Sequence, residues 1–128
     1  MKKLIFLLLA VMMLTACGQD KENGQGAVYV NITAEEAKQI MDTEEGYIIL
    51  DVRTQEEYDQ GHIPGAIQIS HEEIAEKAEE VLTDKDQLIL VYCRSGRRSK
   101  LAAEALVELG YTNIKEFGGI IDWPYEVE

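Results

Sequence analysis

One cysteine and three arginines lie within six consecutive residues of this 128-residue chain, in the stretch CRSGRRS from Cys93 to Ser99. The chain has only four arginines, so most of its guanidinium groups stand beside this one thiol. Gly96 permits backbone conformations in which loop N–H groups converge on one point, and both those groups and the arginines favour negative charge. Such surroundings stabilise a thiolate, the nucleophilic form of cysteine. The stretch therefore predicts a reactive Cys93 that attracts an anionic substrate.

The competing interpretation is a buried structural cysteine whose neighbouring arginines only make a helix start soluble. Arginine at a helix start opposes the positive end of the helix dipole, which makes that explanation physically poor. We therefore favour the reactive site, and we expect Ser99 to cap the helix that follows the loop.

Apolar runs that are typical of buried strands alternate with helical patterns along the chain. The runs YIILDV (47–52) and LILVY (88–92) are nearly continuous, as in strands covered on both faces. Shorter strands are predicted at 28–32 and 113–117, and one more after GHIPG. This alternation predicts an α/β fold of three layers, with a central, mainly parallel sheet and helices on both faces. Cys93 then stands at the carboxyl end of the most apolar strand, where such folds place their active sites.

Helix starts are indicated by a Ser or Thr that stands three residues before a Glu, which is the spacing of a capping box. The three pairs are Thr33–Glu36, Thr54–Glu57 and Ser70–Glu73. After the cysteine loop, apolar residues at helical spacing predict one inward helix face, and Gly110 can close that helix in the left-handed conformation. The residues of this face are Leu101, Ala102, Ala105, Leu106 and Leu109.

The first residues have the pattern of a secretory signal, with two lysines, an apolar run at 4–14 that is too short to span a bilayer comfortably, and then small residues. The segment ends in LTAC, which resembles the lipobox of bacterial lipoproteins, where the cysteine is lipidated and becomes the new N-terminus. An ordinary secretory signal is the alternative. We predict a signal peptide at 1–16, a lipidated Cys17 with a polar tether at 17–27, and one domain at 28–128. The lipid would hold this domain outside the cytoplasm, at a membrane of the bacterial cell envelope.

Cleavage after residue 16 would remove Lys2 and Lys3, leaving 10 Lys and Arg against 24 Asp and Glu. A surface of this charge repels nucleic acid, which we therefore exclude as a partner. With Cys17 lipidated, Cys93 is the only thiol, so no internal disulfide can form. A lone thiol outside the cytoplasm is expected either to be buried or to take part in the chemistry of the protein.

Three segments, LDVRTQEEYDQGHIPGAIQI, VYCRSGRRS and FGGIIDW, resemble single-domain rhodaneses in content, order and spacing, over about residues 29–125. The resemblance implies a sulfurtransferase whose cysteine, Cys93, takes sulfane sulfur from a small anionic donor such as thiosulfate. It implies that the resulting persulfide passes its sulfur to cyanide or a thiol, with neither a metal nor an organic cofactor. We expect a monomer. The loop that would cradle the persulfide consists of Arg94, Ser95, Gly96, Arg97 and Arg98.

Other residues of these segments are expected to be structural. The resemblance suggests that Arg53 pairs with a nearby carboxylate such as Glu57. It also suggests that His62 shapes a turn below the site, with a role as catalytic base as the alternative. We interpret Asp51 as a hydrogen-bond acceptor that fixes a loop.

Two other functions compete with sulfur transfer. Cell-cycle dual-specificity phosphatases share this fold and a cysteine-led anion loop, but their pattern needs five residues between cysteine and arginine. Here that position is Ser99, and Arg98 follows the cysteine after only four residues. A binding module that senses redox state or carries sulfur on its cysteine is the other alternative.

Overall fold

A computed structural model describes residues 28–128 of the chain. The predicted signal peptide, the lipidated Cys17 and the tether lie outside the described residues, so these predictions stand as made. Among residues 28–128, no helix is both long enough and apolar enough to cross a membrane.

Short strands alternate with helices throughout the described part of the chain, as the sequence predicts. The strands are β1 (Val30–Asn31), β2 (Ile48–Asp51), β3 (Ile67–Gln68), β4 (Ile89–Cys93) and β5 (Ile114–Gly119). The helices are α1 (Ala34–Thr43), α2 (Gln55–Gln60), α3 (Ile74–Val81) and α4 (Arg97–Glu108). Single 3₁₀ turns occupy His71–Glu73 and Ile120–Asp122.

The strands form one parallel sheet of order β1-β5-β4-β2-β3. This order places β4 at the centre, between β2 and β5. The register between β4 and β5 shifts between Val91 and Cys93, so that Cys93 pairs with Gly119. Because both faces of a parallel sheet are covered by helices, its central strand has to be apolar throughout, and all five residues of β4 are buried. The predicted α/β fold with a central parallel sheet is confirmed.

Side chains of β4 alternate between two hydrophobic clusters, one on each face of the sheet. Ile89, Val91 and Cys93 belong to the cluster that α3 and α4 cover. Tyr92 belongs to the opposite cluster, which α1 covers together with Trp123 near the C-terminus. This alternation directs the cysteine towards α4.

Two of the three predicted capping boxes are present, and the third is absent. Thr33 and Thr54 each accept the N–H of the glutamate three residues on, and that glutamate accepts the N–H of the threonine. Ser70 makes no such bond, and a 3₁₀ turn precedes α3. The Ser70 hydroxyl instead donates to the carbonyl of Arg53 at 3.4 Å, because the chain brings the end of β2 beside it.

The inward face of α4 differs from the predicted one. Leu101 is 44% exposed, so its assignment to the core was wrong. The helix starts at Arg97, and this start sets its register so that the inward stripe follows the spacing i, i+3, i+4, i+7. Gly110 ends the helix region with a φ of +98°, as predicted. The buried residues of α4 are Ser99, Ala102, Ala103 and Leu106.

Candidate active site

The thiol of Cys93 lies under a tight loop and the residue is only 1% exposed. Strand β4 ends at this residue and α4 begins four residues later, so the chain turns directly over the sulfur. The N–H of Gly96 donates to Sγ at 3.0 Å, and Oγ of Ser99 lies 3.4 Å from Sγ. A backbone N–H directed at sulfur stabilises negative charge there, which is the arrangement that the loop sequence predicts.

Gly96 gives the loop its shape. Its φ of +107° lies in the left-handed region, which glycine adopts without steric cost. Gly96 is also the N-cap of α4, and no side chain caps this helix. The expectation that Ser99 caps the helix was therefore wrong: Ser99 lies inside the first turn and is fully buried.

The end of β5 supports the loop from the side. The N–H of Ile121 donates to the carbonyl oxygen of Arg94 at 3.2 Å. Gly119 approaches so closely that a Cβ atom there would overlap the carbonyl of Arg94 and the Cα of Ser95. Gly119, the second glycine of FGGIIDW, thus permits a backbone contact that holds the loop in place.

The three loop arginines have different surroundings. Arg94 and Arg97 are exposed, so their charges face solvent, from which an anion would approach. Arg98 is half-buried, and its guanidinium donates to both oxygens of Glu57, at 2.9 and 3.1 Å. This ion pair joins α2 to the start of α4 and fixes one side of the site.

Arg53 pairs with Asp51, so the suggested pairing with Glu57 was wrong. The guanidinium donates to the two carboxylate oxygens of Asp51, with Nη2 at 2.6 Å, and also to the carbonyl of Gly61. Asp51 additionally accepts the hydroxyl of Tyr92 at 2.6 Å and the N–H of Arg53. Burial and the Asp51 carboxylate raise the pKa of Tyr92, which keeps its hydroxyl as a donor. Asp51 is therefore the loop-fixing acceptor that the sequence predicts.

His62 is held away from the thiol. Its ring stacks on that of Tyr58, with centroids 3.9 Å apart. Nδ1 lies 3.1 Å from the carbonyl oxygen of Tyr58, and Nε2 lies 3.3 Å from a carboxylate oxygen of Glu128. Both ring nitrogens thus face groups other than Cys93, which favours the role in shaping the turn over that of a catalytic base.

Glu116, which the sequence patterns did not single out, lies beside the cysteine loop. The residue is only 2% exposed, and its Oε2 accepts hydrogen bonds from the Ser99 hydroxyl and from the N–H of Gly118. The available signal was a charged residue inside a predicted strand, just before the paired glycines. That signal is weak, because a strand at the edge of a sheet carries charges in the same way.

The family of the chain follows from its match to known proteins. Residues 33–124 match the family described as Rhodanese-like domain. The chain belongs to this family. The match covers nearly all of the described residues, and it confirms the resemblance that the three sequence segments indicate.

Relatives of this rhodanese-like domain include proteins named for sulfur chemistry. Thiosulfate sulfurtransferase PspE of Escherichia coli K12 is 42% identical over 73 residues, which cover 57% of this chain and 70% of the relative. Putative sulfur carrier protein YrkF of Bacillus subtilis is 39% identical over 98 residues, covering 76% of this chain and 52% of the relative. A solved structure described as a rhodanese with anions from E. coli has a TM-score of 0.60 at 38% identity, covering 64% of this chain and 96% of that one.

The ion pair between Glu57 and Arg98 makes the stability of this rhodanese-like domain depend on pH. Hydrogen bonding to Arg98 lowers the pKa of Glu57 from 4.5 to about 2. A lowered pKa in the folded state contributes stability above the unfolded value, and that stability is lost as pH falls through the folded value. We expect Glu57→Gln to reduce the free energy of unfolding by about 1 kcal/mol at pH 7, since the pair is partly exposed.

Urea unfolding of wild type and Glu57→Gln at a series of pH values measures this effect. The difference between the two should stay constant down to a pH of about 4.5 and shrink towards zero at a pH of about 2. Glutamine still completes the capping box with Thr54, so the helix start is preserved. Glu56→Gln, on the exposed face of the same helix, is the matched control. A difference that does not change with pH would contradict the assignment.

Proposed function

We propose that this protein is a sulfurtransferase that carries sulfane sulfur as a persulfide on Cys93, with a small anionic donor such as thiosulfate. The observation that carries the proposal is the position of the Cys93 sulfur, under a loop whose Gly96 N–H is directed at it at 3.0 Å. Exposed Arg94 and Arg97 stand on the same loop and favour an anionic donor. The name of the relative PspE, a thiosulfate sulfurtransferase, supports the same chemistry.

The proposed reaction has two steps. The thiolate of Cys93 attacks the outer sulfur of thiosulfate, a new S–S bond forms, and the bond between the two thiosulfate sulfurs breaks. Sulfite leaves with the electron pair of that bond. A thiophilic acceptor, cyanide or a thiolate, then attacks the outer sulfur of the persulfide and takes it away as thiocyanate or a new persulfide. The Cys93 thiolate is restored, so the cycle consumes no net proton or electron.

The loop suits the persulfide intermediate. Its terminal sulfur carries negative charge, and backbone N–H groups together with the positive end of α4 favour an anion at this place. Cys93 is only 1% exposed, and the loop that carries the arginines turns directly over its sulfur.

Intact mass of the purified full chain after incubation with thiosulfate tests the proposal. We expect a gain of one sulfur atom, located by peptide mapping to the peptide that contains Cys93, and its removal by cyanide with release of thiocyanate. Glu104→Gln, an exposed change on α4, serves as a control that should load like the wild type. Failure to gain sulfur from thiosulfate would overturn thiosulfate as donor.

Sulfur carriage without turnover is the second candidate, favoured by the similarity to YrkF, which is named a putative sulfur carrier protein. Both candidates share the persulfide and differ in the fate of its outer sulfur. A carrier would load once and release sulfur only to a dedicated partner, whereas a sulfurtransferase would release many equivalents of thiocyanate. Counting thiocyanate per protein separates them.

A phosphatase function has less support. Its pattern needs an arginine at the position of Ser99, but this residue is buried and its hydroxyl is bound to Glu116. A carboxylate at that place repels a phosphate dianion.

We also propose that the protein is a lipoprotein of the bacterial cell envelope, anchored through Cys17. This proposal is supported by the sequence alone, through LTAC after the apolar run at 4–14.

A further inference from the structure

A buried carboxylate lies two contacts away from the reactive sulfur. Glu116 is 2% exposed, and its Oε1 accepts from the side-chain amide of Asn31 at 2.7 Å and lies 3.7 Å from the ammonium of Lys100. Its Oε2 accepts from the N–H of Gly118 at 2.9 Å and from the hydroxyl of Ser99. Every one of these neighbours can donate, and an ionised carboxylate only accepts. The surroundings therefore fit a charged Glu116.

The Ser99 hydroxyl has only one proton to give. Its oxygen lies 3.0 Å from the carbonyl of Gly96, 3.4 Å from Sγ of Cys93, and closer to Oε2 of Glu116 than to either. A hydrogen bond to a charged acceptor is about twice as strong as one to a neutral acceptor. The proton therefore goes to Glu116, and the oxygen turns a lone pair towards the sulfur. In this arrangement Ser99 accepts from a protonated thiol and gives nothing to a thiolate.

Other charged groups around the sulfur act in the opposite direction or are already paired. On the loop and α4, Arg94, Arg97 and Arg98 are positive, and Arg98 is bound to Glu57 of α2. On the remaining sides, Lys100 of α4 lies near Glu116 itself, and the buried pair of Asp51 and Arg53 lies at the end of β2. Among these groups, Glu116 is the one that reaches Cys93 through a shared hydroxyl.

We propose that Glu116 is a positioning residue that restrains ionisation of Cys93 by holding the proton of Ser99. The proposal deepens the proposed function, in which the thiolate is the reactive form, and it rests on that function only for its consequence in sulfur transfer. The arginines favour the thiolate, and Glu116 withholds the hydroxyl proton of Ser99, which could stabilise it further. The pH range over which the thiol reacts is set by the balance between them.

Replacing Glu116 with glutamine should release this restraint. The amide oxygen can take the place of Oε2, where it still accepts from the Gly118 N–H. As a neutral acceptor it holds the Ser99 proton about half as strongly as a carboxylate does, so this proton can turn towards the sulfur. We expect the pH of half-maximal alkylation of Cys93 to fall by about one unit, which is about a tenfold faster reaction at a fixed pH below the midpoint. Glu104→Gln removes one charge from an exposed position of α4, the helix that carries Ser99, and should leave the midpoint unchanged.

The measurement is the rate of iodoacetamide alkylation of the full chain over a range of pH, read by mass spectrometry on the Cys93 peptide. This readout does not need sulfur transfer, so it fails or succeeds separately from the proposed function. In a Ser99→Ala background, Glu116→Gln should shift the midpoint by much less, because the hydroxyl that links the two groups is gone. An undiminished shift would overturn the path through Ser99 in favour of direct charge repulsion.

Ser99→Ala alone provides a second test if Glu116→Gln does not fold. When Ser99 accepts from the thiol, its removal lowers the alkylation midpoint slightly or leaves it in place. When Ser99 instead donates to the thiolate, its removal raises the midpoint. A raised midpoint in Ser99→Ala would overturn the proposal, as would an unchanged midpoint in a folded Glu116→Gln.

Discussion

Replacing Cys93 with serine should reduce the proposed thiosulfate:cyanide sulfurtransferase activity by at least about a thousandfold, because a serine hydroxyl is a weak nucleophile that does not form a persulfide. The fold should survive, since the hydroxyl is smaller than the thiol and can still accept the N–H of Gly96. The change in free energy of unfolding should be about 1 kcal/mol, the usual cost of a polar change at a buried position. Thiocyanate production and urea unfolding measure the two quantities.

The comparison with wild type also separates the rival functions. Activity towards aryl phosphates should be at background in both proteins, and sulfur loading should be absent from Cys93→Ser. Retention of wild-type sulfur transfer by a folded Cys93→Ser would remove the persulfide mechanism. Robust phosphatase turnover that depends on the cysteine would favour the phosphatase instead.

The architecture is predictable from the sequence because its main strands are marked by their composition. β2 and β4 are apolar at nearly every position, which only a strand covered on both faces requires. The position of Cys93 follows from the same pattern, since the end of an apolar run is the end of a strand. Thr33 and Thr54 begin helices through contacts within four residues, and such local contacts depend little on the rest of the fold.

The features that the sequence did not reveal depend on contacts between distant segments. Glu57 is separated from Arg98 by 41 positions, and the pairing of β2 with β4 is what brings their helices together. Two carboxylates, Asp51 and Glu57, lie close to Arg53 in the sequence. Arg53 pairs with Asp51 because both residues are buried at the end of β2. Glu116 becomes part of the site only because β5 pairs with β4.

The register of α4 shows a similar limit. A periodic pattern determines the spacing of inward residues, but it does not determine how the helix is rotated about its axis where it begins. Gly96, in its left-handed conformation, sets that angle, and Ser99 rather than Leu101 then points inward. Gly96 thus directs its N–H at the sulfur of Cys93 and also determines that the hydroxyl of Ser99 lies beside this sulfur.

After Cys93→Ser, Gly119→Ala should cause the largest loss of sulfurtransferase activity. Gly119 has an extended backbone, with a φ of −126°, that any residue can adopt. Its constraint is space, because a Cβ there would overlap the carbonyl of Arg94 and the Cα of Ser95. These are backbone atoms that cannot rotate away, so the loop itself has to move. Overpacking of this kind costs about 1–3 kcal/mol in unfolding free energy.

Movement of the loop should cost more in activity than in stability. Arg94 and Ser95 lead directly to Gly96, so a displaced loop takes the N–H away from Sγ, where it now lies at 3.0 Å. A misplacement of about 1 Å in a catalytic arrangement lowers the rate by about a hundredfold, and we expect kcat/KM to fall by this order.

Gly118→Ala is the matched control at the preceding position. A Cβ there meets nothing within 4 Å, but its φ of +89° is strained for alanine, at a cost of about 1–2 kcal/mol. The two variants should therefore lose similar stability while Gly119→Ala loses far more activity. Equal losses of kcat/KM in both would mean that the close contact between Gly119 and the loop does not position the reactive sulfur.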